Sequence, residues 1–145
     1  MGDDASTARD QVPDKIDRSC RAFRLIKPEW VKTDLTPIRP SSVAFQDHPE
    51  DGAMSVYLED EILLAGLSVE ELQKGWDGYW VFALTVGELR EAFGQEVVRD
   101  PQPKFPGHGA VRDISGKRSP KKRSRMAEAC ALVLKPETES TSASG

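Results

Sequence analysis

The chain lacks most of the residues that would identify a metalloprotein, a disulfide-stabilised protein or a membrane protein. It has only two cysteines, Cys20 and Cys130, and two histidines among 145 residues, with no CxxC pair, which argues against a zinc site. The longest apolar stretch, YWVFAL, is far shorter than the ~20 residues of a membrane-spanning helix. No basic segment followed by an apolar run starts the chain. We expect a soluble cytoplasmic protein with two reduced, mostly buried thiols and no membrane contact.

Familiar catalytic and nucleotide-binding signatures are also missing. The sequence contains no GxSxG, P-loop, GxGxxG or HExxH motif and no Ser-His-Asp order with supporting context. It does not resemble a helix-turn-helix or a zinc finger, and its net charge of -4 argues against a dedicated DNA-binding protein. We predict no metal and no cofactor, and the sequence leaves open whether the protein is an enzyme.

The distribution of apolar residues predicts one domain between two disordered tails. Residues 1–19 and 136–145 contain too few large apolar residues to offset the entropy cost of ordering them. Residues 20–135 form the predicted domain, a length that fits a single core.

Periodicity within that domain predicts a mixed fold. Alternating or continuous apolar residues predict strands at 21–26, 41–47, 53–58, 79–84, 95–100, 110–114 and 131–134. The strands 41–47 and 53–58 are expected to pair as a hairpin across HPEDG. Helices are predicted at 59–67, after the capping residues Ser68 and Thr85, and from Ser119-Pro120. We predict an α+β domain with a mainly antiparallel sheet and three to four short helices.

His108 is the most prominent candidate for chemistry. It lies between two glycines in a proline-rich segment that is predicted to form an irregular loop. An imidazole there could act as a general acid or base, or donate a hydrogen bond to an anion. The alternative is a structural loop histidine bonded to a backbone carbonyl.

A basic run surrounds the start of the last predicted helix. It consists of Lys117, Arg118, Lys121, Lys122, Arg123 and Arg125. Free N–H groups at a helix N-terminus favour phosphate, so the run is a candidate anion-binding patch. The alternative is a solvated face that has no partner.

A second set of polar residues lies in the first third of the chain. Arg24 alternates with Phe23 and Leu25, and "RPSS" places Arg39 beside Ser41 and Ser42. An arginine in such a position commonly pairs with a carboxylate or clamps a phosphate. Serines of this kind are also ordinary turn residues. The leading hypothesis is a cleft lined by Arg24, Arg39, His108 and Lys117 that binds a nucleotide or a nucleic-acid backbone.

Several motifs in order, RAFRLIKPEWV, RPSSVAFQD, MSVYL, GQEVVRDP and PGHGAV…GK, resemble a family of small uncharacterised bacterial proteins over residues 21–117. The resemblance implies a bacterial, cytoplasmic, single-domain protein. It directs attention to Arg24, Arg39, Ser42, Gln95, His108 and Lys117. A weaker likeness to ADP-ribosyltransferases would use Arg24, Ser41 or Ser42, and Glu96, but the chain has no ExE motif.

Two other functions stay open at this point. One is an enzyme acting on phosphodiester or N-glycosidic bonds, with His108 as acid or base and Arg24 or Lys117 stabilising negative charge. The other is a protein-interaction module, such as a toxin–antitoxin accessory subunit, whose basic run docks an acidic protein.

Overall fold

A six-stranded antiparallel sheet organises the computed structural model, which describes residues 15–50 and 52–136. Its strand order is β6-β7-β4-β1-β5-β8, and every neighbouring pair is antiparallel. The strands are β1 (Arg21–Ile26), β4 (Met54–Leu58), β5 (Trp80–Thr85), β6 (Gln95–Arg99), β7 (His108–Asp113) and β8 (Ala131–Leu134). A separate ribbon pairs β2 (Val31–Lys32) with β3 (Arg39–Pro40).

Short helices cover this sheet. The α-helices are α1 (Glu59–Leu64), α2 (Val69–Lys74) and α3 (Pro120–Ala129). Two 3₁₀ helices, Pro28–Trp30 and Ser42–Phe45, and one π-helix, Glu88–Ala92, complete the elements of the described residues. The predicted α+β fold with a mainly antiparallel sheet is confirmed. Within the described residues, no helix combines the length and the apolar character needed to cross a bilayer.

The helix starts follow the capping signals of the sequence. Ser68 and Glu71 form a reciprocal capping box at the start of α2. Thr85 and Glu88 exchange the same two bonds before the π-helix. At α3, the Ser119 hydroxyl accepts a hydrogen bond from the Lys122 N–H at 3.1 Å, and Pro120 is the first helical residue. These local bonds explain why α2, α3 and the helical segment after Thr85 begin where the sequence predicts.

Alternation along the strands separates two apolar cores. Ala22, Val56 and Phe82 point to the side covered by α3, where they meet Met126 and Ala127. We call this side the α3 face. Phe23, Val81 and Ala83 point the other way and pack against Ile62 of α1 and Leu72 of α2. This second side is the α1–α2 face. Because successive strand residues alternate between faces, each strand residue can be assigned to one side.

The predicted strand at 41–47 is wrong, and so is its hairpin with the next strand. Ser42–Phe45 forms a 3₁₀ helix whose first N–H groups are capped by the Ser41 hydroxyl, which accepts from the Val43 N–H at 3.4 Å. Serine competes with strand pairing by offering this local bond. Consecutive burial of Ala44 and Phe45 also differs from strand alternation. β4 therefore pairs with β1 and β7 instead.

The core includes one residue from the segment that the sequence predicts to be a disordered tail. Ile16 lies in the α3-face core with 2% of its surface exposed, and its carbonyl accepts a hydrogen bond from Arg90 Nη1 at 3.2 Å. One aliphatic side chain, isolated among polar neighbours in sequence, is enough to anchor this segment. The predictions for residues 1–14 and 137–145 lie outside the described residues.

Both cysteines are free, and burial makes their thiols poor nucleophiles. Burial raises the pKa of Cys20 to about 11 and that of Cys130 to about 12. The thiolate is the reactive form, so at pH 7.5 we expect a disulfide reagent to modify the folded protein about 100-fold or more slowly than the protein in urea. Stopped-flow measurement with an aromatic disulfide reagent checks this. Equal rates in the two states would contradict the burial of both thiols.

Candidate functional site

Arg118, one of the predicted anion-binding residues, is wholly buried on the α3 face. Its Nε donates to Gln95 Oε1 at 2.9 Å, and its Nη2 donates to the Val111 carbonyl at 3.1 Å. Its Nη1 donates to the Phe45 carbonyl at 2.9 Å and to Asp47 Oδ1 at 2.5 Å. Because these acceptors bond to all three nitrogens of the buried guanidinium, Arg118 joins segments of the fold and is not accessible to a ligand.

Gln95 and Lys122 belong to the same buried arrangement. Gln95 Nε2 donates to the Phe93 carbonyl at 2.7 Å and to Asp113 Oδ2 at 2.8 Å. Lys122 Nζ donates to the same carboxylate oxygen at 2.8 Å. Burial alone would raise the pKa of Asp113, but hydrogen bonds from Lys122, Ser115 and Gln95 outweigh it and hold this pKa well below its usual range. We call Arg118, Asp47, Gln95, Asp113 and Lys122 the Arg118 network.

Arg24 also donates hydrogen bonds to backbone carbonyls. Its Nε donates to the Ala44 carbonyl at 3.0 Å and its Nη1 to the Ser55 carbonyl at 2.9 Å. Burial lowers the pKa of Arg24 to about 10, and the nearby positive charge of Arg118 adds to this effect. The space beside it, next to Phe45 and Cys130, measures about 10 Å³. That volume holds at most about one water molecule, so this space is too small for a ligand.

His108 lies on the opposite side of the sheet from Arg24. It is the first residue of β7 and not part of a loop, which corrects the sequence-based placement. It pairs with Tyr57, which in turn pairs with Phe23 on the α1–α2 face. Arg24 is one residue further along β1 and faces the α3 core. The expected cleft shared by Arg24 and His108 is therefore not formed, because the sheet separates them.

The sequence predicts only in part which residues surround His108. Its Nδ1 lies 2.9 Å from the Asp100 carbonyl oxygen and 3.3 Å from Asp100 Oδ2. Its Nε2 lies 3.0 Å from Ser55 Oγ. Strand alternation in "MSVYL" could have identified Ser55 as outward-facing, but its register with β7 is a tertiary property.

The RPSS group and the basic run do come together. α3 packs against β3, which contains Arg39, and against the 3₁₀ helix Ser42–Phe45. The Ser41 hydroxyl caps that helix, and Ser42 is its half-buried first residue. The two groups are about 80 residues apart in the chain, so only the tertiary packing makes them neighbours.

The basic run itself divides by helical spacing. Lys122 and Arg123 are half-buried on the side of α3 that carries Met126 and Ala127. Lys117, Lys121 and Arg125 are exposed. We call Arg39, Ser42, Lys121, Arg123 and Arg125 the α3 surface. Among residues 15–50 and 52–136, no carboxylate lies within ion-pair distance of any of its three arginines.

Arg123 has an additional feature. Its Nη1 donates to the Arg118 carbonyl at 3.3 Å, but its Nε is buried and has no hydrogen-bond partner in the described part of the chain. A buried unpaired N–H group is costly, and such groups are rare in native proteins. Arg123 Nε is therefore an unsatisfied donor, and an outside acceptor reaches it only when the side chain moves.

A larger surface depression lies elsewhere. It encloses about 430 Å³ and is lined by Ser19, Thr85 and Gly87 together with Arg18 and Glu91. Arg18 Nη2 and Glu91 Oε1 form an exposed ion pair at 2.5 Å. None of the residues predicted from sequence to bind a ligand lines this depression.

No family model, no curated protein and no solved structure matches this chain. The resemblance to a bacterial family stays a prediction, and the candidate sites rest on geometry alone. Among the described residues, no three His, Cys, Asp or Glu side chains form a group that could hold a metal ion.

Replacing Arg118 by methionine should destabilise the fold strongly. The change leaves Asp47, Gln95 and two backbone carbonyls without their donor, and breaking a buried pair in this way costs about 3–5 kcal/mol. Urea denaturation measures the loss in the free energy of unfolding. Arg125→Met is the matched control on an exposed arginine and should change stability by less than about 0.5 kcal/mol. Equal stabilities of the two variants would show that the network is dispensable.

The Arg118 network should also make stability depend on acid pH. The pKa of Asp113 is lower in the folded protein than the ~3.9 of an unfolded chain, so its contribution is complete above about pH 5 and is lost as pH falls. The stability difference between wild type and Asp113→Asn should therefore narrow between about pH 5 and pH 3. Urea titrations across this range measure it. A difference independent of pH would contradict a stabilising, ionised Asp113.

Proposed function

We propose that this protein binds the phosphate backbone of a nucleic acid through the α3 surface. This retains the anion-binding function expected from the sequence and changes the residues that carry it. Arg39, Ser42, Lys121, Arg123 and Arg125 replace the cleft that was to include Arg24 and His108.

The observation that carries the proposal is that no carboxylate among residues 15–50 and 52–136 lies within ion-pair distance of Arg39, Arg123 or Arg125. Arg123 makes one hydrogen bond, from Nη1 to the Arg118 carbonyl at 3.3 Å, and its buried Nε makes none with the described residues. Two oxygens of one phosphate accept two parallel N–H···O bonds from a guanidinium, which is the geometry that arginine favours. Binding of a phosphate would thus supply the negative charge that no described carboxylate gives to these arginines.

Neighbouring groups support the same ligand. Arg39 adds a second guanidinium and Ser42 a hydroxyl from elements packed against α3. The first turn of α3 contains Lys121 and Lys122 and no acidic residue. Cations at a helix N-terminus oppose the helix dipole and cost stability, so a bound anion offsets this cost.

The net charge of the chain does not oppose such a site. Charges further away than about 8 Å are screened at physiological salt, so the potential at the α3 surface depends mainly on the cations that lie there. A polymeric ligand is favoured over a single nucleotide because Lys121 and Arg125 are exposed on the outer side of the helix. We also propose, from the sequence resemblance and the two free thiols, that the protein acts in a bacterial cytoplasm.

Fluorescence anisotropy with a labelled single-stranded RNA and a DNA duplex tests the proposal. The variant Arg39→Gln/Arg123→Gln should weaken binding about tenfold or more, because each arginine loses a charge-assisted hydrogen bond. The slope of log K against log salt should fall by about 2, one for each lost phosphate contact. The variant Lys74→Gln/Lys135→Gln removes two exposed cations outside the α3 surface and should bind as wild type does.

Three results would overturn the proposal. The first is no binding of either nucleic acid at low salt. The second is an equal loss of affinity in the arginine variant and the lysine control, because that would indicate non-specific attraction. The third is competition by polyglutamate as effective as competition by unlabelled RNA, since a carboxylate polymer would then be an equally good ligand.

A further inference from the structure

The hydrogen bonds of His108 define its tautomer. A backbone carbonyl can only accept a hydrogen bond, so Nδ1, which lies 2.9 Å from the Asp100 carbonyl oxygen, carries the proton. In the neutral ring, Nε2 then has a free lone pair. His108 Nε2 lies 3.0 Å from Ser55 Oγ, so its lone pair accepts a hydrogen bond from the Ser55 hydroxyl.

This is the arrangement of an activated serine. The base lies within hydrogen-bonding distance of the hydroxyl, and a third group orients the base from its other nitrogen. Asp100 provides this third group with two oxygens near His108 Nδ1. Its carbonyl oxygen lies at 2.9 Å and its carboxylate Oδ2 at 3.3 Å. The ring of His108 also contacts Tyr57 edge-on, at 5.6 Å between centroids, which restricts its rotation.

The sheet holds both reacting groups in position. Ser55 and His108 lie on the adjacent strands β4 and β7, where Ser55 pairs with Ala110 and Tyr57 with His108. The Ser55 carbonyl accepts a hydrogen bond from Arg24, which fixes the backbone from the other face. Residues on paired strands keep their separation far better than residues on loops do.

The serine is accessible, and a cation lies on the same side of the sheet. Ser55 is exposed, and 14% of the His108 side chain reaches solvent. Arg112 is exposed two residues beyond Ala110 on β7, so it points to the same face. Diagonal neighbours of this kind are about 7–8 Å apart, within reach of a long side chain. Arg112 thus places a positive charge on the face that carries Ser55, with Glu96 of β6 paired directly opposite it.

We propose that Ser55 and His108 form a nucleophilic serine site that hydrolyses small esters, with Asp100 as the positioning residue. Ser55 Oγ attacks the carbonyl carbon while its proton passes to His108 Nε2. The C–O bond of the ester then breaks, and the proton leaves with the alcohol. Water, activated by the same imidazole, releases the acid and restores the serine. This site lies on the α1–α2 face and is independent of the α3 surface.

A fluorophosphonate probe tests the site without knowledge of the natural substrate. Ser55 Oγ would bond to phosphorus and displace fluoride, with the serine proton taken up by His108. Intact-protein and peptide mass spectrometry should find a single adduct at Ser55. Ser55→Ala should abolish labelling, and Ser124→Ala, which removes an exposed serine of α3, should leave it unchanged.

The role of His108 needs its own variant. His108→Gln should slow labelling at Ser55 and the hydrolysis of p-nitrophenyl acetate by about 100-fold or more, the usual contribution of a general base. Circular dichroism and thermal melting establish that the variant is folded. If it is not, His108→Asn serves as the second variant. Asp100→Asn should slow the labelling of Ser55 and shift the imidazole N–H proton resonance of His108. Asp100→Glu should be labelled faster than Asp100→Asn.

Three outcomes would overturn the inference. One is a wild-type protein in which Ser55 is labelled no faster than Ser124. Another is a folded His108 variant that is labelled at the wild-type rate, since the hydroxyl would then not depend on the imidazole. The third is labelling and an imidazole resonance that Asp100→Asn leaves unchanged, which would remove Asp100 from the site.

Discussion

The buried guanidinium of Arg118 is the constraint on which the rest of the architecture depends. Arginine cannot lose its charge inside a protein, so its burial is tolerated only when its donors find acceptors. Those acceptors come from three separate segments, namely the 3₁₀ helix and its following turn, β6 and β7. Arg118 directly precedes the N-cap of α3. Satisfying one side chain therefore places α3 against the sheet and against the Ser42–Phe45 helix.

The two candidate sites lie on opposite sides of the sheet. On the α3 face, α3, which contains Arg123, packs against the elements that contain Arg39 and Ser42. On the α1–α2 face, the pairing of β4 with β7 brings Ser55 to His108. Arg24 contacts both regions through backbone carbonyls, at Ala44 on one side and at Ser55 on the other. The same scaffold thus carries both proposed sites, with no residue shared between them.

Sequence reasoning succeeded where the signal is local. The caps at Ser68, Thr85 and Ser119 predicted helix starts because each is a bond between residues three positions apart. It failed at Ser42–Phe45, where the cap and two consecutive buried residues outweigh a strand-like pattern. It could not distinguish the exposed Arg125 from the wholly buried Arg118, because both occur in one basic run and burial depends on distant acceptors.

The sequence by itself determined the α+β class, most strand positions and which residues of a strand share a face, since these follow from periodicity and hydrogen bonds within a few residues. Only the tertiary structure decided which cations are structural and which are available. It also decided that Arg24 and His108 are on opposite faces while Ser55 and His108 are in contact. The physical reason is that strand order and register are set by the packing of the whole sheet and by the buried Arg118, and neither is a property of any short segment.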